Sequence, residues 1–179
     1  MTAKEYLGKL LPQYETTFDL HKPYHMGAKE YAAYGYFCSH SEKYVLSREA
    51  KLWEADSFEH IFFFTAQQID EIMVEEVVHI LENRLEPQLV RGGKKNPEKN
   101  HMYSYLTCAL ISDGEISEGA VRKIRKYKFY KNYMFSFRGY SEGRIVAVDL
   151  ERQKVFTNGA GKPMKKLYTS VLSRSLSAK

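Results

Sequence analysis

Apolar residues along this 179-residue chain alternate between helical and strand-like spacings. From Thr2 to about Phe18 they fall at Tyr6, Leu7, Leu10, Leu11 and Tyr14, one face of a helix, and Thr2 with Glu5 has the form of a capping box. Pro12 weakens that helix, and Asp19 to Gly27, with Pro23 and Gly27, predicts a loop. Tyr31 to Leu46 is rich in Tyr, Phe and Val with a polar break at Ser39 to Glu42, which predicts two strands joined as a hairpin. Lys51 to Ala55 extends the second strand or forms a third. Ile61 to Thr65 is apolar at consecutive positions, as in a central strand covered on both faces.

Gln67 to Glu86 repeats Ile69, Ile72, Met73, Val77, Ile80, Leu81 and Leu85 at helical spacing, with Asp70, Glu71, Glu75, Glu76, Glu82 and Glu86 on an acidic outer face. Pro87 predicts its end. Gln88 to Asn100, with Gly92, Gly93, Pro97 and three lysines, predicts a flexible connection. Tyr103 to Ser112 has the pattern of a second central strand, Ser117 to about Lys128 that of a short helix, and Tyr133 to Arg138 that of an alternating strand. Ile145 to Leu150 and Lys154 to Thr157 complete a hairpin, Lys162 to about Leu172 a last helix, and Ser173 to Lys179 a frayed tail. Neighbouring strands interrupted by helices predict an α+β fold, with a mixed, largely antiparallel sheet and helices packed on it, in a single domain over residues 1–172.

Hydrophobic residues make up 44% of the chain and aromatics 14%, including 14 Tyr and 10 Phe, so a packed core is expected rather than disorder. The longest strongly apolar run, Ile61 to Phe64, is far short of the roughly 20 residues of a membrane-spanning helix. Charges interrupt the N-terminal segment where a secretory signal needs an apolar stretch, so the expected compartment is the cytoplasm. Cys38 and Cys108 are expected as reduced thiols.

The strings Tyr34-Gly35-Tyr36-Phe37, Ser41-Glu42-Lys43-Tyr44-Val45-Leu46, Ala50-Lys51-Leu52-Trp53-Glu54-Ala55-Asp56-Ser57, Asn100-His101-Met102-Tyr103-Ser104-Tyr105-Leu106-Thr107 and Phe137-Arg138-Gly139-Tyr140-Ser141 resemble an uncharacterised family of small bacterial proteins known only as a domain of unknown function. The resemblance runs from about Tyr31 to Tyr168. It implies a bacterial origin and one domain, and it supplies no activity, cofactor or site residue.

Charge divides the chain more sharply than its net +5 suggests. Residues 1–90 hold 8 Lys plus Arg against 15 Asp plus Glu, and residues 91–179 hold 19 against 7. The densest basic stretch is Arg122, Lys123, Arg125, Lys126, Lys128 and Lys131, interleaved with Tyr127, Phe129, Tyr130 and Tyr133. Cations that neutralise phosphates beside rings that stack on bases suit single-stranded nucleic acid, while an acidic protein or plain solvated charge fits the same pattern. Self-association through the oppositely charged halves is a further possibility.

Three other groupings bear on chemistry. Thr157 to Pro163 holds Gly159, Gly161 and Lys162 between a strand and a helix; it lacks the phosphate-loop pattern but offers an anion site at Lys162 with Lys165 and Lys166. Glu54, Asp56 and Glu59, if they converge, would make a metal-dependent phosphodiesterase or nuclease. Tyr34, Tyr36, Tyr103 and Tyr105, if they ring one cavity, would make a small-ligand pocket. The six histidines show no zinc spacing; Cys38 and His40 share a strand face without a third ligand, and Cys38 with a histidine base is a bare nucleophile pairing. No cofactor or metal is expected. The leading expectation is a binding or interaction domain without catalysis, its basic, aromatic second half contacting an anionic or macromolecular partner.

Overall fold

A computed structural model describes residues 1–43 and 53–177, the side chains at 41–43, 53–54 and 175–177 excepted. The expected strand residues 44–46 and 51–52 and the last two residues of the expected tail lie outside the described residues.

Thr2 caps α1 (Ala3–Leu10) through the capping box, its hydroxyl accepting from Glu5 N–H while the Glu5 carboxylate accepts from Thr2 N–H. A 3₁₀ turn, Leu11–Gln13, carries Pro12 and ends the helix earlier than its periodicity suggests. Three short strands follow, β1 (Asp19–His21) and β2 (Tyr24–Met26), where a loop was expected, and β3 (Lys29–Tyr31) after it. β4 (Ala33–Lys43) and β5 (Trp53–Ala66) then form one long antiparallel pair. Ser39–Glu42 is therefore not a turn: its polar residues lie inside β4, opposite Ser57, Asp56, Ala55 and Glu54 of β5.

Asp70 caps α2 (Glu71–Ile80), and the helix continues as a π-helical stretch, Leu81–Val90, with Pro87 inside it. The expected stop at Pro87 does not occur; the helix widens into π turns around the proline and runs on to Val90. Only Arg91 to Asn100 remains without helix or strand in the expected connection 88–100. β6 (His101–Ser112), α3 (Glu118–Lys126), β7 (Phe129–Asn132), β8 (Tyr140–Asp149) and β9 (Lys154–Thr157) follow, then α4 (Lys165–Ser177). α4 extends through Ser173 to Ser177.

The described residues form a seven-stranded sheet in the order β1-β4-β5-β6-β8, with β7 pairing the first half of β8 and β9 its second half. The β5–β6 and β6–β8 pairs are parallel and the other four antiparallel, giving the mixed, largely antiparallel sheet of an α+β domain. Alternate residues of the central strands go to opposite cores, as a two-residue side-chain period requires. Phe62, Phe64, Leu106, Cys108, Leu110, Ile145 and Ala147 pack with α2, its π extension and α3. Ile61, Phe63, Ala109, Ile111, Val146 and Val148 pack with α1 and α4.

The two charge blocks meet on the first of these faces. α3 lies beside α2, with Lys123 paired to Glu75 across the groove. The acidic and basic halves thus partly neutralise each other within one molecule.

Candidate functional site

On the α1/α4 side the apolar core stops at Ile61, Ala109 and Val146. Towards the starts of β6 and β8 the same face carries Tyr103, Tyr105, Tyr140, Glu142 and Arg144. Tyr103 and Tyr105 share this face because they are two apart on β6, and the parallel register sets Tyr140 beside Tyr103 and Glu142 beside Tyr105. β7 adds Tyr130 opposite Glu142.

The four tyrosines form a continuous aromatic platform. Ring centres are 4.6 Å apart for Tyr103–Tyr105, 5.9 Å for Tyr103–Tyr140 and 5.0 Å for the stacked pair Tyr130–Tyr140. Tyr103, Tyr105 and Tyr140 are half-buried, whereas Tyr130 is 58% exposed at the rim.

Arg144 lies flat on this platform, its guanidinium carbon 3.4 Å from the centre of the Tyr105 ring. Two carboxylates sit near it, Glu59 at 3.8 Å and Glu142 at 3.6 Å, close enough to balance charge but beyond hydrogen-bond reach. Its Nε is buried with no hydrogen-bond partner. Burial pushes the Glu59 carboxyl above its ordinary range, against the opposing pull of Arg144. A buried donor left without an acceptor costs on the order of 1–3 kcal/mol, which the ring contact and the two flanking carboxylates offset in part.

The hairpin joining β7 to β8 is built unusually. Tyr133 to Arg138 is not the expected strand: Met134, Phe135 and Ser136 have φ of 49°, 54° and 71°, and Gly139 has φ 69°. Three successive non-glycine residues in the left-handed region carry strain on the order of 1 kcal/mol or more each. The turn is held at its base. Tyr133 is buried and bonded through its hydroxyl to Glu86 and Ser141, Arg138 donates to the Pro97 carbonyl, and the His101 Nδ1–H donates to the Arg138 carbonyl. That leaves His101 Nε2 to accept from the Ser104 hydroxyl. Ser104 is fully buried, so this serine–histidine pair anchors the turn rather than facing a substrate. The tip displays Phe135, 97% exposed, and Phe137, 83% exposed.

A side chain at Gly139 would place its Cβ 2.0 Å from the Met102 carbonyl oxygen, at a φ that also disfavours it. Gly139→Ala is therefore expected to lower stability by about 2 kcal/mol or more, measured by urea denaturation. Wild-type stability in that variant would mean that the turn relaxes freely.

The structure separates most of the residues grouped by sequence. Tyr34 and Tyr36 lie on the α2/α3 face, where Tyr34 bonds to His60 and Tyr36 packs against the His60 ring, opposite to Tyr103 and Tyr105; the four do not ring one cavity. Glu54, Asp56 and Glu59 all belong to β5 rather than to two strands. The Glu54 side chain lies outside the described residues, Asp56 pairs with His40 at 2.5 Å, and Glu59 turns to Arg144 on the other face. Asp56 and Glu59 therefore do not converge, and no group of three or more His, Cys, Asp or Glu side chains among the described residues is placed to hold a metal ion.

The basic positions spread widely. Arg122, Lys123 and Lys126 line a groove of about 740 Å³ between α2 and α3, Arg125 lies over Phe156, and Lys131 turns to Glu86. Lys128 is exposed before β7, and exposed Lys162 begins the 3₁₀ turn leading to α4. The glycine turn before it is held by Asn158, whose Oδ1 accepts from the N–H groups of Ile145 and Gly161. Cys38 is exposed and Cys108 buried, both as free thiols, and burial pushes the Cys108 thiol up to about 12. No helix among the described residues is long and apolar enough to cross a membrane.

Sequence reasoning found half of the platform, Tyr103 and Tyr105, and noted Tyr130 among the basic residues. It missed Tyr140 and Arg144, for which the only available signal was the density of rings and cations around β7 and β8; the parallel register that brings them to β6 is not written in local spacing. A family model described as Domain of unknown function (DUF8052) matches residues 2–170. No curated protein and no solved structure matches the chain.

Proposed function

We propose, for a chain that belongs to this family of domains of unknown function, that it is a non-catalytic binding domain whose partner is a single-stranded nucleic acid, held on the platform of Tyr103, Tyr105, Tyr130 and Tyr140. The observation that carries this reading is the guanidinium of Arg144 set against the Tyr105 ring within a cluster of four neighbouring tyrosines. Every base has a face that stacks on a tyrosine, and a guanidinium attracts a phosphate or base carbonyl. Charge agrees: from Lys128 to Arg144 there are four cations and one anion. The two free thiols suit a reducing compartment, in keeping with a bacterial cytoplasm.

The test is fluorescence anisotropy with a labelled 12-nucleotide single strand and the same sequence as a duplex. Saturable binding that prefers the single strand and weakens with added salt is expected. No binding of the single strand at low salt would remove the reading. α3 packs on the opposite face of the sheet, so Arg122→Ala, Lys123→Ala, Arg125→Ala and Lys126→Ala together are expected to lower affinity by less than about threefold, through long-range charge alone. A larger loss in that variant would move the interface to the α2/α3 groove.

A further inference from the structure

The strained turn between β7 and β8 has a task that the platform alone does not explain. Its base is fixed by buried Tyr133, by the His101–Arg138 and Arg138–Pro97 bonds, and by Gly139 pressed against the backbone at Met102. Its tip has nothing to hold: Phe135 and Phe137 are almost fully exposed, with Met134 at 49%. Backbone strain of this kind persists only where the surrounding structure holds it, and it clusters at ligand-contacting sites. Here the strain sets two phenyl rings out in water, the position in which they contribute least to folding. Such an arrangement is accounted for when the rings meet a partner.

We infer that the Tyr133–Gly139 turn is an aromatic wedge that continues the platform past the edge of the sheet, Phe135 and Phe137 stacking on bases of the same single strand. This rests on the nucleic-acid reading above. Continuity selects the occupant: the turn joins the two strands that carry Tyr130 and Tyr140, so a strand lying across those rings leads towards it. Charge points the same way, since exposed Lys128 precedes the turn and no Asp or Glu lies between Lys128 and Tyr140. The wedge adds contacts that only a longer ligand reaches.

The experiment compares wild type with Phe135→Ser/Phe137→Ser and with Tyr103→Leu/Tyr140→Leu, using 4- and 12-nucleotide single strands. Because both phenylalanine rings are exposed, the serine variant is expected to keep the wild-type Tm. It is expected to bind the 12-mer about tenfold more weakly and the 4-mer with unchanged affinity. Unchanged 12-mer affinity in the serine variant, with loss in the tyrosine variant, overturns the wedge and leaves the platform standing. Failure of wild type to bind either oligonucleotide overturns both. A parallel flotation assay uses vesicles of phosphatidylcholine with phosphatidylserine: wild-type binding lost in the serine variant, together with unchanged 12-mer affinity, assigns the rings to a lipid surface and overturns the inference.

Discussion

Leucine at both Tyr103 and Tyr140 is expected to weaken binding of a 12-nucleotide single strand by about 10- to 100-fold. Base–aromatic stacking is worth on the order of 1–3 kcal/mol per base, and each tenfold change in affinity is about 1.4 kcal/mol, so losing two rings at the lower end of that range already reaches this effect. Leucine keeps an apolar side chain on the sheet while removing the flat surface. Tyr103 and Tyr140 are partners across β6 and β8 with ring centres 5.9 Å apart, so their substitutions are expected to be non-additive. Anisotropy gives the affinity, and circular dichroism of the same samples checks the fold. Wild-type affinity in a folded double variant would place the interface elsewhere.

Glu86→Ala is expected to cost about 3–5 kcal/mol of folding stability, the range for breaking a buried ion pair by removing one partner. The Glu86 carboxylate is 1% exposed. It accepts from Arg91 Nε at 2.8 Å and Nη2 at 3.1 Å and from the Tyr133 hydroxyl at 2.6 Å, with Lys131 Nζ 3.1 Å away. Alanine would leave those donors facing a cavity at the root of the β7–β8 turn, so the loss should appear in urea denaturation and as greater susceptibility of that turn to proteolysis. A loss under about 1 kcal/mol would show that water replaces the carboxylate readily.

The same residue sets part of the pH dependence. Burial raises the Glu86 carboxyl, but Arg91, Tyr133 and Lys131 outweigh it and hold the group below its ordinary value. With an unfolded value near 4.3, its contribution is complete above that pH and is lost as pH falls through the lower folded value. His60 acts at higher pH: burial lowers it to about 4, so the unfolded chain takes up its proton first, and stability declines from about pH 6.5 down to 4. Acid titration of wild type should therefore show both limbs, and Glu86→Gln should show a weaker lower one, since Glu71 and Glu98 are also held below their ordinary values. Parallel curves for the two proteins would exclude Glu86 as the source.

Much of the secondary structure is legible in the chain because it depends on near neighbours. The capping box at Thr2 and Glu5, the two-sided burial of Ile61 to Phe64 and the short helix with Val121 and Ile124 inward all follow from spacing within a few residues. Where local preference met a competing tertiary demand, it lost. Glu86 has the spacing of an outer acidic residue, yet the wider π turn carries it inward, where Arg91, Lys131 and Tyr133 compensate the burial of its charge. Tyr133 to Arg138 alternates like a strand, but buried Tyr133 and the close approach of Gly139 to Met102 fold it into a left-handed turn.

The candidate site divides along the same line. Residue types and the period of two were enough to place Tyr103 and Tyr105 on one face, and the count of rings and cations set the second half apart from the first. Which strands lie beside β6 was decided by tertiary structure alone. Parallel pairing of β5, β6 and β8 is set by the crossovers through α2 and α3 and by cores on both sheet faces, which involve residues far apart in sequence. That pairing sets Tyr140 and Arg144 beside Tyr103 and Tyr105, and it divides Tyr34 from Tyr103 and Asp56 from Glu59. The sequence by itself determined an α+β chain with buried central strands and a basic, aromatic second half; the long-range register, fixed by burial on two faces at once, decided which of its side chains meet.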